Sequence, residues 1–244
     1  MYLYGKNSIL ERLNYNPESI KTIFLQDNFS VPNILEVIES NSIPVERMTE
    51  KALLKLKRAD RLQGIVAKVD DFQYADLEKL LNRPADKKLT FIFLDNINDP
   101  HNLGSIIRIA ACFGDFAIVI PRHRSCEVTD AVMHVASGGE NYVPVSMVTN
   151  MSKSLIDAKD AGYWIAGTVV KDGEDINKVS LPFPMCLVLG SEGGGIRHGI
   201  DKHLDLKISL PMKGVALSFN VAMAGAIFCH EIAKKRPKTE KDTI

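Results

Sequence analysis

The chain has 244 residues, 45% of them hydrophobic and 25% charged, with 30 basic and 30 acidic side chains and no formal net charge. That length allows a small domain plus a medium one, the apolar share excludes disorder, and the neutral balance removes any whole-molecule electrostatic case for nucleic acid. Four cysteines, Cys112, Cys126, Cys186 and Cys229, match no metal or redox spacing and read as buried thiols; the six histidines form no ligand cluster with them, so no metal is expected.

The N-terminus lacks the basic, then apolar, then small-residue order of a secretory signal, because Lys6, Glu11 and Arg12 interrupt its first apolar residues. A cytoplasmic protein is expected. The first 70 residues alternate helix and strand patterns. A helix near 7–13 precedes a strand at KTIFLQ, a helix over 32–40 and a short strand near SIPVER. A basic helix near 49–57 and a closing strand, GIVAKV, follow. This is a compact α/β module, assigned to residues 1–71. Lys51, Lys55, Lys57, Arg58 and Arg61 crowd one short stretch of it, and in a separate small domain such a cluster reads as an RNA-binding face.

Residues 72–88 turn polar around NRPADKK and are assigned as a linker. Beyond them, over 89–244, apolar strand-like runs recur: TFIFLD, FAIVI, YWIAGT, MCLVLG and LKISLP. Helical patterns separate these runs, and continuous apolar strands of this kind belong to a parallel sheet covered on both faces. The longest apolar run, 215–229, carries Ser218 and Asn220 and falls short of the ~20 residues that span a bilayer; it reads as a buried helix. Near the end, KKRPK reads as a solvated face or a loose tail.

Three polar segments follow strands. In the first, NINDPHNLGSIIR, Asp99 and Pro100 form an N-cap and first-turn pair, and Leu103, Ile106, Ile107 and Ala110 follow at helical spacing. Arg108 falls off that stripe, on the flank of Gly104, whose missing side chain leaves room for a ligand. Taken alone, Arg108 reads equally as a surface arginine and Asn102 as a capping residue. In the second, LGSEGGGI, glycines after a buried strand let the backbone approach a ligand, but neither a dinucleotide fingerprint nor a P-loop is present. Glu192 argues against a phosphate there and suits a positive ligand or hydroxyl donors. In the third, LPMKGVALSFN, Ser218 and Asn220 open a helix that is apolar nearly all round and so expected to be buried; both also read as plain caps.

Together and in this order, DPHNLGSIIR, LGSEGGGI and LPMKGVALSFN resemble the three signature motifs of the SpoU/TrmH family, within the SPOUT class of RNA methyltransferases. The likeness covers almost the whole chain. YGKNSILERL and RLQGIVAKV resemble the start and end of a small L30e-like RNA-binding domain, in the branch that methylates guanosine ribose in 23S ribosomal RNA. The resemblance implies an α/β trefoil-knot domain, a homodimer, and S-adenosylmethionine as cofactor. It places that cofactor against Thr168, Leu189, Gly190, Gly195, Leu210, Ser218 and Phe219. It assigns catalysis to Arg108, Asn102, Glu192, Ser218 and Asn220, with Arg108 at the ribose 2′-hydroxyl. Many relatives read Ser-Leu-Asn where this chain has Ser218, Phe219 and Asn220, which leaves open what Phe219 does to cofactor affinity. A transfer RNA methyltransferase and a non-catalytic RNA-binding or ribosome-assembly factor are the alternatives.

Overall fold

The computed structural model describes residues 1–59, 62–191, 193–214 and 217–237. The chain begins with β1 (Tyr2–Tyr4), α1 (Lys6–Tyr15), β2 (Ile20–Gln26), α2 (Pro32–Ser40), β3 (Val45–Met48), α3 (Glu50–Leu56) and β4 (Ile65–Val69). These strands form a sheet in the order β1-β4-β2-β3, in which β4 runs antiparallel to both neighbours and β2 parallel to β3. Every element expected from the first 70 residues is present; β1, only three residues long, was not anticipated.

The stretch expected as a linker holds a short helix, α4 (Leu77–Leu81). Asp76 caps it by accepting from the N–H groups of Glu78 and Lys79, and Leu80 and Leu81 are buried. Its polar residues face water while these two leucines join the core beneath, so it lies against the larger sheet instead of hanging free.

That larger sheet takes β5 (Thr90–Leu94), α5 (Pro100–Phe113), β6 (Phe116–Pro121), α6 (Asp130–Ala136), β7 (Val145–Val148), α7 (Met151–Asp160) and β8 (Trp164–Thr168). It is completed by β9 (Glu174–Asp175), β10 (Met185–Leu189), α8 (His198–Asp201), β11 (Leu206–Ser209) and α9 (Val221–Lys235). The order is β7-β6-β5-β10-β8-β11-β9, and every pairing is parallel. β10 fills the place between the earlier strands β5 and β8, so the chain doubles back on itself at its C-terminal end, in keeping with the knotted domain that the resemblance implies. A parallel sheet must be covered twice, and β5 carries that out residue by residue. Ile92 and Leu94 pack with Leu103, Ile106 and Ile107 of α5 and Phe228 of α9, whereas Phe91 and Phe93 pack with Met151 and Leu155 of α7.

The two sheets share one apolar cluster running from Leu3 and Ile9 to Val132 and Met133 of α6. Polar contacts pin the same seam. Arg12 pairs with the buried Glu140 at 3.4 Å, the Tyr4 and His134 rings stack at 4.1 Å, and Lys57 bonds Asp130.

Two expectations about burial need correction. α9 is not buried all round: Met223 is 64% exposed and Ile227 40%, because the sheet covers only the face carrying Val221, Phe228 and Ile232. Cys112 is exposed at the open side of α5, while Cys186 and Cys229 are buried. Two basic residues at the end of α9 are also anchored. Lys235 donates to the carbonyls of Ile176 and Val179, and Arg236 to Thr90 and to Asp115 at the edge of the sheet. No helix among the described residues is long and apolar enough to cross a membrane.

Candidate functional site

A pocket of about 460 Å³ opens at the C-terminal ends of β8, β10 and β11. Parallel sheets leave their crevices there, because the crossovers return the chain to the opposite edge. Thr168 ends β8, and its hydroxyl donates to the carbonyl of Val188 at 3.2 Å. Leu189 ends β10, and the glycine loop follows it. Gly190 has no room for a Cβ, which would stand 2.2 Å from the carbonyl carbon of Gly195 and 2.4 Å from the nitrogen of Ile196. The loop closes on itself through Ser191 and Gly195, whose N–H groups each donate to the other's carbonyl at 3.1 and 3.0 Å. Gly195 holds a φ of 62°, a left-handed conformation that glycine adopts without steric cost.

The segment after β11 forms the opposite wall with Leu210, Met212, Ser218 and Phe219. All seven residues expected to contact a cofactor, Thr168, Leu189, Gly190, Gly195, Leu210, Ser218 and Phe219, therefore line one cavity. The lining is mostly apolar side chains and loop backbone, with the Thr168, Ser191 and Ser218 hydroxyls and the Asp201 carboxylate added. That suits a ligand with a flat apolar part and a few hydrogen-bonding groups.

The first segment reaches this pocket through an amide pair. Asp99 caps α5 by accepting from His101 N at 2.8 Å, and Pro100 occupies the first turn, as expected. Asn102, 8% exposed, receives a 2.9 Å hydrogen bond from Nδ2 of Asn220. Asn220 in turn caps α9, its Oδ1 accepting from the N–H of Ala222 and Met223. So Asn220 both caps and bridges.

Arg108 lies six residues further along α5, exposed, and does not line the pocket. Gly104 does not serve a ligand: a Cβ there would meet the Val132 carbonyl and the Val135 side chain at 2.7 Å, so its role is the close crossing of α5 and α6. Glu192 lies outside the described residues, and so does Arg61.

Arg197, just past the glycine loop, ties that loop back to the sheet. Its N–H and Nε donate to Asp95 at 3.0 and 2.8 Å, and Asp95, at the end of β5, is fully buried. Sequence reasoning missed this pair. The only signal was an acid ending the TFIFLD run, where an apolar strand has no packing use for one.

Thiol chemistry is excluded at the buried cysteines. Burial pushes the Cys186 thiol well above its ordinary range and that of Cys229 up to about 12, so neither supplies a thiolate near neutral pH. Among the described residues no group of His, Cys, Asp and Glu converges as a metal site would.

Comparison with known proteins decides the family. The sequence profile of the SpoU rRNA Methylase family matches residues 89–230, and that for RNA 2′-O ribose methyltransferase substrate binding matches residues 2–75. The chain belongs to the SpoU family. It is 35% identical over 234 residues to the 23S rRNA (guanosine-2′-O-)-methyltransferase RlmB of Nitrosomonas europaea, covering 94% of this chain and 90% of that protein. It is 32% identical over 239 residues to a Bacillus subtilis protein named as a TrmH family tRNA/rRNA methyltransferase, covering 96% of both. Among solved structures, the SpoU methyltransferase AviRb of Streptomyces viridochromogenes, in complex with AdoMet, superposes with a TM-score of 0.79 at 20% identity, covering 96% of this chain and 90% of that one.

In this SpoU chain the basic helix α3 divides its charges. Lys51, Lys55 and Arg58 project outward, but Lys57 reaches back to Asp130 and sits 5.4 Å from the centre of the Tyr4 ring. Lys57 therefore docks α3 on α6, a role its spacing in the sequence could not distinguish from RNA contact.

Proposed function

We propose that this SpoU methyltransferase transfers a methyl group from S-adenosylmethionine to the 2′-oxygen of a guanosine ribose in 23S ribosomal RNA. The observation that carries this reading is the hydrogen bond between Asn102 and Asn220, which joins the first motif to the third at the rim of a pocket lined by the second. The AdoMet complexes of AviRb and of an rRNA methyltransferase from Sinorhizobium meliloti support the cofactor, and the likeness to RlmB supports the nucleoside and the RNA.

When bound, the sulfonium supplies an electrophilic methyl group. The chain's part is to hold it in line with the attacking oxygen and to manage the hydroxyl proton. The glycine loop and the wall of Leu210, Met212 and Phe219 fix the ligand, Ser218 offers a hydroxyl, and Asn102 with Asn220 sets the separation of α5 and α9. With a pKa above ~12, the Arg108 guanidinium is a poor base. It serves better to grip a phosphate beside the target ribose, in bidentate fashion, and so orient the 2′-hydroxyl. Asn102 completes that side of the site, and Glu192 keeps the catalytic part that the resemblance assigns it.

Residues 1–71 serve as the RNA-binding domain, through Lys51, Lys55 and Arg58, and residues 89–244 as the methyltransferase domain. The active unit is a homodimer: Met223 and Ile227 of α9 and Phe113 of α5 leave large apolar side chains in water, which a second subunit would cover. Sedimentation that finds only monomer refutes the dimer.

Labelled cofactor, incubated with separate ribosomal and transfer RNA pools and followed by mapping of ribose methylation, tests the reaction. Transfer to 23S RNA at a guanosine is expected; transfer to transfer RNA alone would move the substrate, and transfer to neither would sink the reading. Arg108→Ala should bind cofactor normally in calorimetry yet lose turnover.

A further inference from the structure

A second cleft, of about 450 Å³, lies at the C-terminal ends of β6 and β7, and the site described above makes no use of it. Pro121, His123, Arg124, Asn150, Ser152 and Arg197 are among its walls, and among the described residues no Asp or Glu lines it. In a chain with no net charge that is a local excess of positive charge. Arg197 is already paired with Asp95, but the side chains of His123 and Arg124 make no hydrogen bond or ion pair with the described residues.

Its place on the sheet matters more than its charge alone. The strand order β7-β6-β5-β10-β8 sets the cleft on one side of β5 and the cofactor pocket on the other. Strands are ~4.8 Å apart, so the cleft begins about 5 to 10 Å along the same edge from the loop that presents Asn102. One loop also borders both cavities. Gly193, Gly194, Gly195 and Ile196 face the pocket, and Arg197 faces the cleft. An RNA strand that puts its ribose at the β5–α5 loop therefore crosses the cleft with the adjoining backbone. The groove beyond shares Thr149 and Asn150 but sets Asp76, Glu78, Asp157 and Asp160 against Lys153, a net negative lining at which the path for a polyanion ends.

We propose that this cleft is a seat for RNA phosphodiester groups next to the methylated nucleotide, gripped by Arg124 and His123. The assignment rests on the RNA-methyltransferase reading above. Phosphate contacts of this kind position the nucleic acid without reading sequence, and an arginine fork matches phosphate oxygens. Arg124 is held in shape for it: its backbone takes the left-handed φ of 61°, while Arg122 N–H donates to Val148 O at 2.8 Å and fixes the turn to the end of β7.

The test is RNA binding by the full chain as a function of salt, with unmodified 23S ribosomal RNA transcribed in vitro as the probe. Arg124→Asn removes the charge with a residue that tolerates a positive φ. It should weaken binding about five- to tenfold near 0.1 M salt and reduce the log–log salt slope by about 0.7 to 0.9. Affinity for S-adenosylmethionine should not change. Ser152→Asp is the second variant: it gives up the 3.2 Å hydrogen bond from the hydroxyl to Gly199 O, but an acid in the first turn favours α7 while repelling phosphate, so a variant that melts near wild type should bind RNA more weakly. Lys178→Ala, which removes an exposed charge elsewhere, should leave the slope unaltered. An unaltered slope in Arg124→Asn, an equal effect in Lys178→Ala, or loss of cofactor binding in Arg124→Asn would each overturn the seat. Wild-type protein that methylates no RNA pool would refute the reaction instead, a result read in a separate assay.

Discussion

Asn220 donates from Nδ2 to Oδ1 of Asn102 across 2.9 Å while its own Oδ1 accepts from the first N–H groups of α9. One side chain thus ties two helices 118 positions apart and satisfies a helix end. The two duties can be separated by mutation. Asn220→Ala should remove both, costing about 1 kcal/mol through the lost cap and lowering Tm by roughly 2 to 4 °C. Asn220→Ser keeps a good cap but is too short to reach Asn102. It should melt close to wild type and still lose methyl transfer. Thermal denaturation and turnover measured side by side decide the matter, and full activity in the serine variant would mean that the bridge is dispensable.

Gly190 offers a sharper test of the cofactor loop. A methyl group there would collide with backbone atoms of Gly195 and Ile196, which cannot step aside as a flexible side chain would. Gly190→Ala should therefore reshape the loop and weaken S-adenosylmethionine binding by more than about tenfold, equivalent to 1.4 kcal/mol. Gly199, a few residues on, meets nothing within 4 Å, so Gly199→Ala is the matched control and should bind normally. Calorimetric titration of both variants with the cofactor gives the comparison.

Much of this geometry was legible beforehand because it rests on local rules. Pro100 after Asp99, followed by apolar residues at helical spacing, is a local helix start, and the short all-apolar runs at 90–94 and 185–189 suit strands of a sheet covered on both faces. What failed to show were properties that depend on what packs opposite. Gly104 looked like space for a ligand and turned out to be space for α6; Lys57 looked like its neighbours and points the other way, to Asp130. β9 is two residues long and holds its place only because β11 offers an edge, and no periodicity fits so short a strand. Asp95 and Arg197 are 102 positions apart, a separation at which a sequence read alone carries no pairing information.

That pair makes its own prediction. Asp95 is fully shielded from water, and Arg197, whose side chain is 42% exposed, meets it at 2.5 Å through the guanidinium. Removing the acid lets the arginine turn to solvent, so the stability cost should fall below the 3 to 5 kcal/mol typical of breaking a wholly buried pair, at about 1 to 3 kcal/mol. The larger consequence should be for the loop: in Asp95→Ala the segment that runs into Arg197 loses its tether to β5. The KM for S-adenosylmethionine should rise about tenfold, or 1.4 kcal/mol, with a smaller change in kcat. Arg197→Lys keeps the charge but not the fork, and should recover only part of the loss. If KM stays constant in both variants, the tether does not shape the pocket.

Glu140 allows a test by pH at the seam between the two sheets. Burial raises its pKa above the ordinary carboxylate value, and neither local backbone N–H groups nor Arg12 at 3.4 Å fully offsets this. A carboxyl that binds its proton more tightly when folded lowers stability as pH rises, starting at the unfolded value of ~4.3 and continuing up to its raised folded value. The direction is opposite to that of a salt-bridged surface acid. Glu140→Gln cannot ionise and escapes the penalty at every pH. Urea denaturation of both proteins in steps from acid to neutral should show the glutamine variant gaining on wild type as pH rises through that window, with the gap constant above it. The gain ends there because both states of Glu140 are then ionised. A gap that shrinks with rising pH would mean that Arg12 stabilises the carboxylate more than burial penalises it.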